Sequence, residues 1–282
     1  MIEYKTLENA TKEELHAVFA EAFADYFVSF EMTTDQFMTR MLKRKSYNPE
    51  ISVGTFSDGK MVGFVFNGLR KLNGIPTAYD CGTAMIPAFR RKGIGKEILN
   101  VTNKILQEKN VEQYLLEVIQ ENKPAVNLYL KEGFKVTREF NCYRSKSSKY
   151  LLKEDSHLRL VKFDELVIPE DFFDFTPSWQ NSVESIFEIP SEFNFAVYEE
   201  NDETIGFGII ETSTGDIPLL AVAKEHRRKG IGTKILQFLV NENQADIVKV
   251  INVESTSITA NKFLQANGLA SSVNQYEMIK TL

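Results

Sequence analysis

One ten-residue segment occurs twice in this chain. Arg90-Arg91-Lys92-Gly93-Ile94-Gly95-Lys96-Glu97-Ile98-Leu99 returns as Arg227-Arg228-Lys229-Gly230-Ile231-Gly232-Thr233-Lys234-Ile235-Leu236, with eight of ten positions identical and the copies 137 residues apart. That interval is about one small domain, well beyond the roughly 20–50 residues of a solenoid unit. The chain therefore reads as a tandem duplication, and its 282 residues have room for two ordinary domains.

The flanks of the two copies repeat in the same order. Thr11-Lys12-Glu13-Glu14 is a capping box that opens a helix with Leu15, Val18, Phe19, Ala22 and Phe23 on one face. A second helix is expected from Thr34, with Phe37, Met38, Met41 and Leu42 as its apolar stripe. Strands 51–56, 61–66 and 77–86, joined at Asp58-Gly59 and Asn73-Gly74, form an antiparallel meander. The repeated motif then leads into a helix carrying Ile94, Ile98, Val101, Ile105 and Leu106. A strand 114–119, a helix 122–132 stopped by Gly133 and a strand 134–143 complete the first half. The second half is expected to repeat this with strands near 195–199, 204–211 and 217–223, a helix from Gly230, a strand 248–254, a helix 257–267 and a strand 273–279. Its earlier part is less regular, and Phe172, Phe173, Phe175 and Trp179 are read there as core or as an interdomain surface. The expected architecture is α+β: two tandem domains, 1–145 and 157–282, each a mixed, largely antiparallel sheet flanked by helices, with 145–156 as linker.

Composition narrows the function classes. No stretch approaches the roughly 20 apolar residues of a bilayer span, and the opening residues lack the build of a signal peptide, so no membrane association and a cytoplasmic location are expected. Cys81 and Cys142 form no C-x-x-C pair and His16, His157 and His226 are scattered, which argues against a metal site or a disulfide framework. The net charge of −6 disfavours nucleic acid as a partner and suits a cationic, amine-bearing one.

The repeated loop lies between a strand and an amphipathic helix. Gly93 and Gly95 let the backbone approach a ligand, so that successive N–H groups and the positive helix end converge on an anion. Arg90, Arg91 and Lys92 add charge for further phosphates, which suits a diphosphate gripped but not cleaved. A Walker A loop would need glycine at Arg90 and Ser or Thr at Glu97; a dinucleotide fingerprint would need glycine at Ile98 and a βαβ unit before it.

The pattern Arg90-x-x-Gly93-x-Gly95 resembles the acetyl-CoA signature of the GNAT (GCN5-related N-acetyltransferase) superfamily, and the element order is similar across both halves. The stretch from Leu116-Glu117-Val118 through Asn122, Ala125, Leu128-Tyr129 and Gly133-Phe134 is similar to the pattern of the ribosomal-protein alanine acetyltransferase type. The resemblance implies tandem GNAT-like domains and a splay between the strands ending near Ile86 and Ile119, where acetyl-CoA enters as co-substrate. It also implies pantetheine contacts from the backbone of Met85 and Ile86. The diphosphate contacts fall to Arg90, Arg91, Lys92, Gly93, Ile94, Gly95 and Lys96, with Asn122 touching the cofactor and Tyr129 near its sulfur.

Acetyl transfer to an amine must remove a proton from an ammonium and supply one to the thiolate. A tyrosine, protonated at neutral pH, can supply the second. Tyr129 is the expected general acid, Glu117 the candidate base with Asp80 or a water relay as rivals, and the Ile86 N–H the candidate oxyanion donor. Cys81 shows no base partner for a nucleophilic role.

Aligning Gly133 with Gly268 sets Leu264 against Tyr129, Asn252 against Glu117 and Ser257 against Asn122. The second domain thus keeps the loop without the acid and base, and either binds CoA without turnover or carries the loop as a remnant; in both cases its aromatic early part, with Trp179, is expected to help shape the acceptor site of the first. The whole reads as a direct-transfer N-acetyltransferase acting on a primary amine in a small molecule or peptide. The reading from another class, a CoA-sensing protein without turnover, is disfavoured by Tyr129 and Glu117. The acceptor and the oligomeric state are open.

Overall fold

The computed structural model describes residues 1–25, 31–151 and 155–282. Two compact units divide the chain: Met1–Thr137 with Tyr276–Leu282, and Arg138–Gln275.

In the first unit, β1 (Ile2–Thr6) is followed by α1 (Lys12–Phe23), capped reciprocally by Thr11 and Glu14. A turn α2 (Thr34–Gln36) continues as a π-helix Phe37–Leu42 and a 3₁₀ turn Lys43–Lys45. The regular second helix expected from periodicity is therefore widened, with Phe37 and Leu42 still buried. Strands β2 (Val53–Ser57), β3 (Lys60–Leu72) and β4 (Ile75–Met85) form the meander. Its turns hold Asp58-Gly59 at φ 50 and 79° and Asn73-Gly74 at φ 51 and 82°, the left-handed pairs that tight hairpins require. Helix α3 (Ile94–Glu108), β5 (Gln113–Ile119) and α4 (Lys123–Lys131) follow. Ile98, Leu99 and Leu106 of α3 and Val126 and Tyr129 of α4 enter one core with Tyr114, Leu116 and Val118.

The sheet is completed by β13 (Gln275–Thr281), beside β5, giving the order β1-β2-β3-β4-β5-β13. Met278, fully buried, belongs to the first unit's core.

The second unit runs β6-β11-β10-β9-β8-β7, from β6 (Lys135–Lys146), β7 (Leu158–Val161), β8 (Phe193–Glu200), β9 (Glu203–Glu211), β10 (Asp216–Val222) and β11 (Ile247–Glu254), with the short β12 (Ala270–Ser271) also on β6. Phe140 to Lys146 pair with β11 in antiparallel register. Helices α5 (Val183–Phe187), α6 (Ile231–Glu242) and α7 (Ile258–Ala266) flank this sheet. Phe172 and Phe173 join the core of this unit with Phe193, Phe195 and Phe207, and Trp179 is buried.

Two features depart from the sequence reading. The strands β1 and β7 carry polar alternation at a sheet edge and give only a weak signal in sequence. The final strands are also exchanged: the one expected to finish the first half pairs in the second unit, and 275–281 supplies the first. In a duplicated chain the two sheets offer equivalent open edges, so a strand's local pattern does not choose between them.

Candidate active site

Strands β4 and β5 pair in parallel only from Thr77–Tyr79 to Gln113–Leu115. Beyond Tyr79 and Leu115 they separate, which opens the expected splay. A register shift between Phe66 and Asn67, opposite Gly82 and Asp80, makes Cys81 the extra residue of a β-bulge. Such bulges re-aim side chains at a strand's working end.

Asp80 is turned inward here, 7% exposed. It accepts from the Gly82 N–H at 2.9 Å, the Thr83 hydroxyl at 2.7 Å and the Tyr129 hydroxyl at 3.2 Å. Burial lifts its pKa from 3.8 to about 6 even though these donors, and the charge of Lys45, pull the other way. Tyr129 itself is buried on α4, with its ring edge against Phe134 at a centroid distance of 5.5 Å. The structure thus joins two of the candidates, the acid and the rival base, into one hydrogen-bonded pair.

Glu117 stands apart from that pair. Leu116 and Val118 share the core with Tyr129, so strand alternation directs Glu117 to the other face of the sheet. There the fully buried Tyr79 donates its hydroxyl to Glu117, and burial drives that phenol well above its usual pKa. The Lys45 ammonium is also on this side and donates to the Cys81 carbonyl at 3.1 Å. Its burial lowers its pKa, against the opposing pull of Glu117, Asp80 and Cys81. Lys45 escaped the sequence reading because Lys43-Arg44-Lys45 looks like a solvated basic run; the π-helix that turns it inward has no local signature. Burial pushes the Cys81 thiol up to about 12, so it is no thiolate nucleophile at neutral pH.

Two assignments change. The Ile86 N–H donates to the Val62 carbonyl at 3.0 Å and so cannot be the oxyanion donor. Strand alternation then directs the Met85 N–H to the open side. Arg90 does not reach toward phosphate. Its guanidinium grips both oxygens of Asp25 at 2.6 and 2.7 Å, the Ala22 carbonyl at 2.8 Å and the Met85 carbonyl at 3.0 Å. It fastens the end of α1 to the end of β4. Arg91, Lys92 and Lys96 remain exposed around the loop, while Ile94 turns its side chain into the core and leaves its backbone for a ligand. Arg91 sits at φ 61° and Gly93 at φ 81°, where Gly93 is the residue before α3. These left-handed turns set N–H groups beside the first, intrahelically unpaired ones of α3, a cradle for an anion. Asn122 caps α4 by accepting from the Ala125 N–H at 3.3 Å.

The second loop has the same build. Arg227 grips Asp174 at 2.5 Å, the Phe172 carbonyl at 2.7 Å and the Val222 carbonyl at 2.9 Å. Arg228 and Gly230 repeat the left-handed pair at φ 64 and 84°. Strands β10 and β11 meet at Asp216 and Lys249 and then diverge around a cavity of 780 Å³. Gly206 faces Val222 and Ile209 faces Leu219 as Gly63 faces Met85 and Phe66 faces Gly82. That register sets Ile217 where the first unit has Asp80.

Comparison with known proteins follows the same division. Residues 15–134 match the Acetyltransferase (GNAT) family, and residues 191–268 match the Acetyltransferase (GNAT) domain. The chain belongs to the GNAT family of acetyltransferases. It is 34% identical over 110 residues to an N-alpha-acetyltransferase of Sulfurisphaera tokodaii, a match spanning 36% of this chain and 62% of that relative's length. It is 22% identical over 120 residues to a spermidine N(1)-acetyltransferase of Thermoplasma acidophilum, spanning 42% of this chain and 71% of the relative. A tandem GNAT protein from the clavulanic acid biosynthesis pathway superposes with a TM-score of 0.73 at 15% identity, covering 100% of this chain and 98% of that one. A GCN5-related N-acetyltransferase from Sphaerobacter thermophilus gives 0.72 at 13% identity, covering 99% and 95%. At these identities the likeness establishes the fold. Among the described residues, no helix is long and apolar enough to cross a membrane.

Proposed function

We propose that the first unit transfers the acetyl group of acetyl-CoA directly to a primary amine. The observation that carries this reading is the hydrogen-bonded Tyr129–Asp80 pair beside the open splay, with Glu117 on the other face of the sheet. The loop of Arg91, Lys92, Gly93, Gly95 and Lys96 holds the diphosphate, and the pantetheine arm runs along the open edge of β4. Asn122, already committed to capping α4, borders the same opening.

Acetyl-CoA supplies the thioester. Glu117 takes a proton from the incoming ammonium so that the nitrogen lone pair can attack the carbonyl carbon, and the Met85 N–H faces the oxyanion. As the carbon–sulfur bond breaks, Tyr129 gives its hydroxyl proton to the sulfur, and the adduct nitrogen gives up its second proton to water. Asp80 holds that hydroxyl in place and, titrating near neutrality, couples the tyrosinate to solvent protons. One ammonium and one thioester yield an amide, a thiol and one released proton. We assign no transfer to the second unit, where Ile217 and Leu264 replace the pair.

The test is thiol release from acetyl-CoA across a panel of amines. Peptide α-amines and polyamines come first, because two relatives are named for such acceptors. Release that requires an amine and disappears in Gly95→Glu supports the reading. Binding of acetyl-CoA with no release on any amine overturns it in favour of a CoA-binding protein.

A further inference from the structure

The second unit holds a partly open, largely apolar cavity behind a loop built for diphosphate, and its walls differ in kind from those of the first. We infer that it is a receptor for an acyl-CoA whose acyl group is longer than acetyl, held without transfer.

The cavity of 780 Å³ lies within the range of about 300–1,000 Å³ that takes whole organic ligands. Arg228, Gly230 and Gly232 stand at its mouth, and Arg228 and Lys229 are exposed there. Their backbone repeats the first loop to within a few degrees, 64 against 61° and 84 against 81°. The cradle is thus the same and complements a diphosphate. The interior is not the same. Ile217 and Leu264 occupy the places of Asp80 and Tyr129, 1% and 6% exposed. Leu236, Val253 and Phe263 continue the hydrocarbon wall. At the place of Glu117 stands Asn252, neutral, buried, and donating its amide to the Ser178 hydroxyl at 2.9 Å.

A thioester in this space meets no counterpart of the Tyr129–Asp80 pair, the lining carboxylate of Asp174 being held by Arg227, and an alkyl chain meets Ile217, Leu236, Val253, Phe263 and Leu264. A ligand anionic at one end and apolar at the other satisfies both regions, and the duplicated loop makes the anionic end that of CoA. Each methylene withdrawn from water strengthens binding roughly fourfold. Chain length is therefore the property the cavity reads.

Calorimetric titration of the full-length Gly95→Glu variant, whose first loop is blocked, tests this with CoA, acetyl-CoA, octanoyl-CoA and octanoate. Octanoyl-CoA is expected to bind at one site at least tenfold more tightly than acetyl-CoA, octanoate not measurably, and no thiol to be released. Arg228→Asn keeps a residue that tolerates the left-handed turn and is expected to weaken all three CoA ligands alike. Leu264→Tyr, which restores the first unit's residue and narrows the cavity, is expected to erase the chain-length preference. Equal affinity for acetyl- and octanoyl-CoA, octanoate binding as tightly as its thioester, or thiol release from octanoyl-CoA overturns the inference. If Gly95→Glu loses its fold by circular dichroism, titration of the wild type is expected to show two classes of site, of which Leu264→Tyr removes the chain-length-dependent one. Failure of acetyl transfer itself is read separately, in thiol release by the wild type.

Discussion

Tyr129 and Asp80 lie 49 positions apart in the chain and meet at 3.2 Å, so their chemistry is a property of the pair. Tyr129→Phe is expected to lower kcat by roughly 100-fold, with the KM for acetyl-CoA nearly unchanged, in steady-state thiol-release assays. With Asp80 titrating near 6, the wild-type rate is expected to fall below that pH, and Asp80→Asn to flatten this limb. The same carboxyl affects stability with a definite sign. Its folded pKa is raised from 3.8 to about 6, so the folded state binds the extra proton, and stability is lost as pH rises through that window. The melting temperature of wild type relative to Asp80→Asn is therefore expected to decline from pH 4 to pH 7. Tyr129 and Glu117 were legible in sequence because they sit in a patterned strand–helix stretch. Asp80 could be named from sequence only as a rival base, since nothing local shows that α4 delivers a phenol to β4. The exchange of Ile86 for Met85 as the open-facing amide was illegible for a related reason: a strand's inward parity depends on its partner's register and on the bulge at Cys81.

At the scale of elements, the glycine loop reads directly from sequence because left-handed turns before a helix favour glycine. The tight turns at Asp58-Gly59 and Asn73-Gly74 and the Thr11 capping box read just as directly, each having a local mechanism. The π-helix at Phe37–Leu42 does not, because its apolar positions fit an ordinary helical period almost as well. Arg90 illustrates a subtler failure: a basic residue beside a phosphate loop looks like a phosphate ligand until its partners are seen. Its grip on Asp25 and the α1 carbonyl makes it a clamp, and Arg227 repeats this on Asp174. Arg90→Ala is expected to reduce unfolding free energy by about 1 kcal/mol in urea titration, the modest value fitting a clamp partly open to solvent. Arg91→Asn, at an exposed left-handed position, is expected to raise the KM for acetyl-CoA several-fold with little change in stability.

Across the whole molecule, the first unit is assembled from two distant stretches, 1–137 and 276–282. Deleting 276–282 removes the fully buried Met278 and the strand beside β5. That truncation is expected to abolish thiol release and to lower the first thermal transition, although every proposed catalytic residue remains. Addition of a synthetic peptide spanning 274–282 is expected to restore part of the activity; full activity without it would mean that another segment can fill the gap. The discontinuity also bears on how the protein comes into being in a cell. The sheet that carries Asp80 and Glu117 cannot close while residues 276–282 are still inside the ribosome. Some 140 residues must therefore emerge after Thr137 before the first unit can finish folding. The part synthesised first thus waits for residues 276–282 to be translated, and premature termination near residue 275 would silence chemistry encoded far upstream.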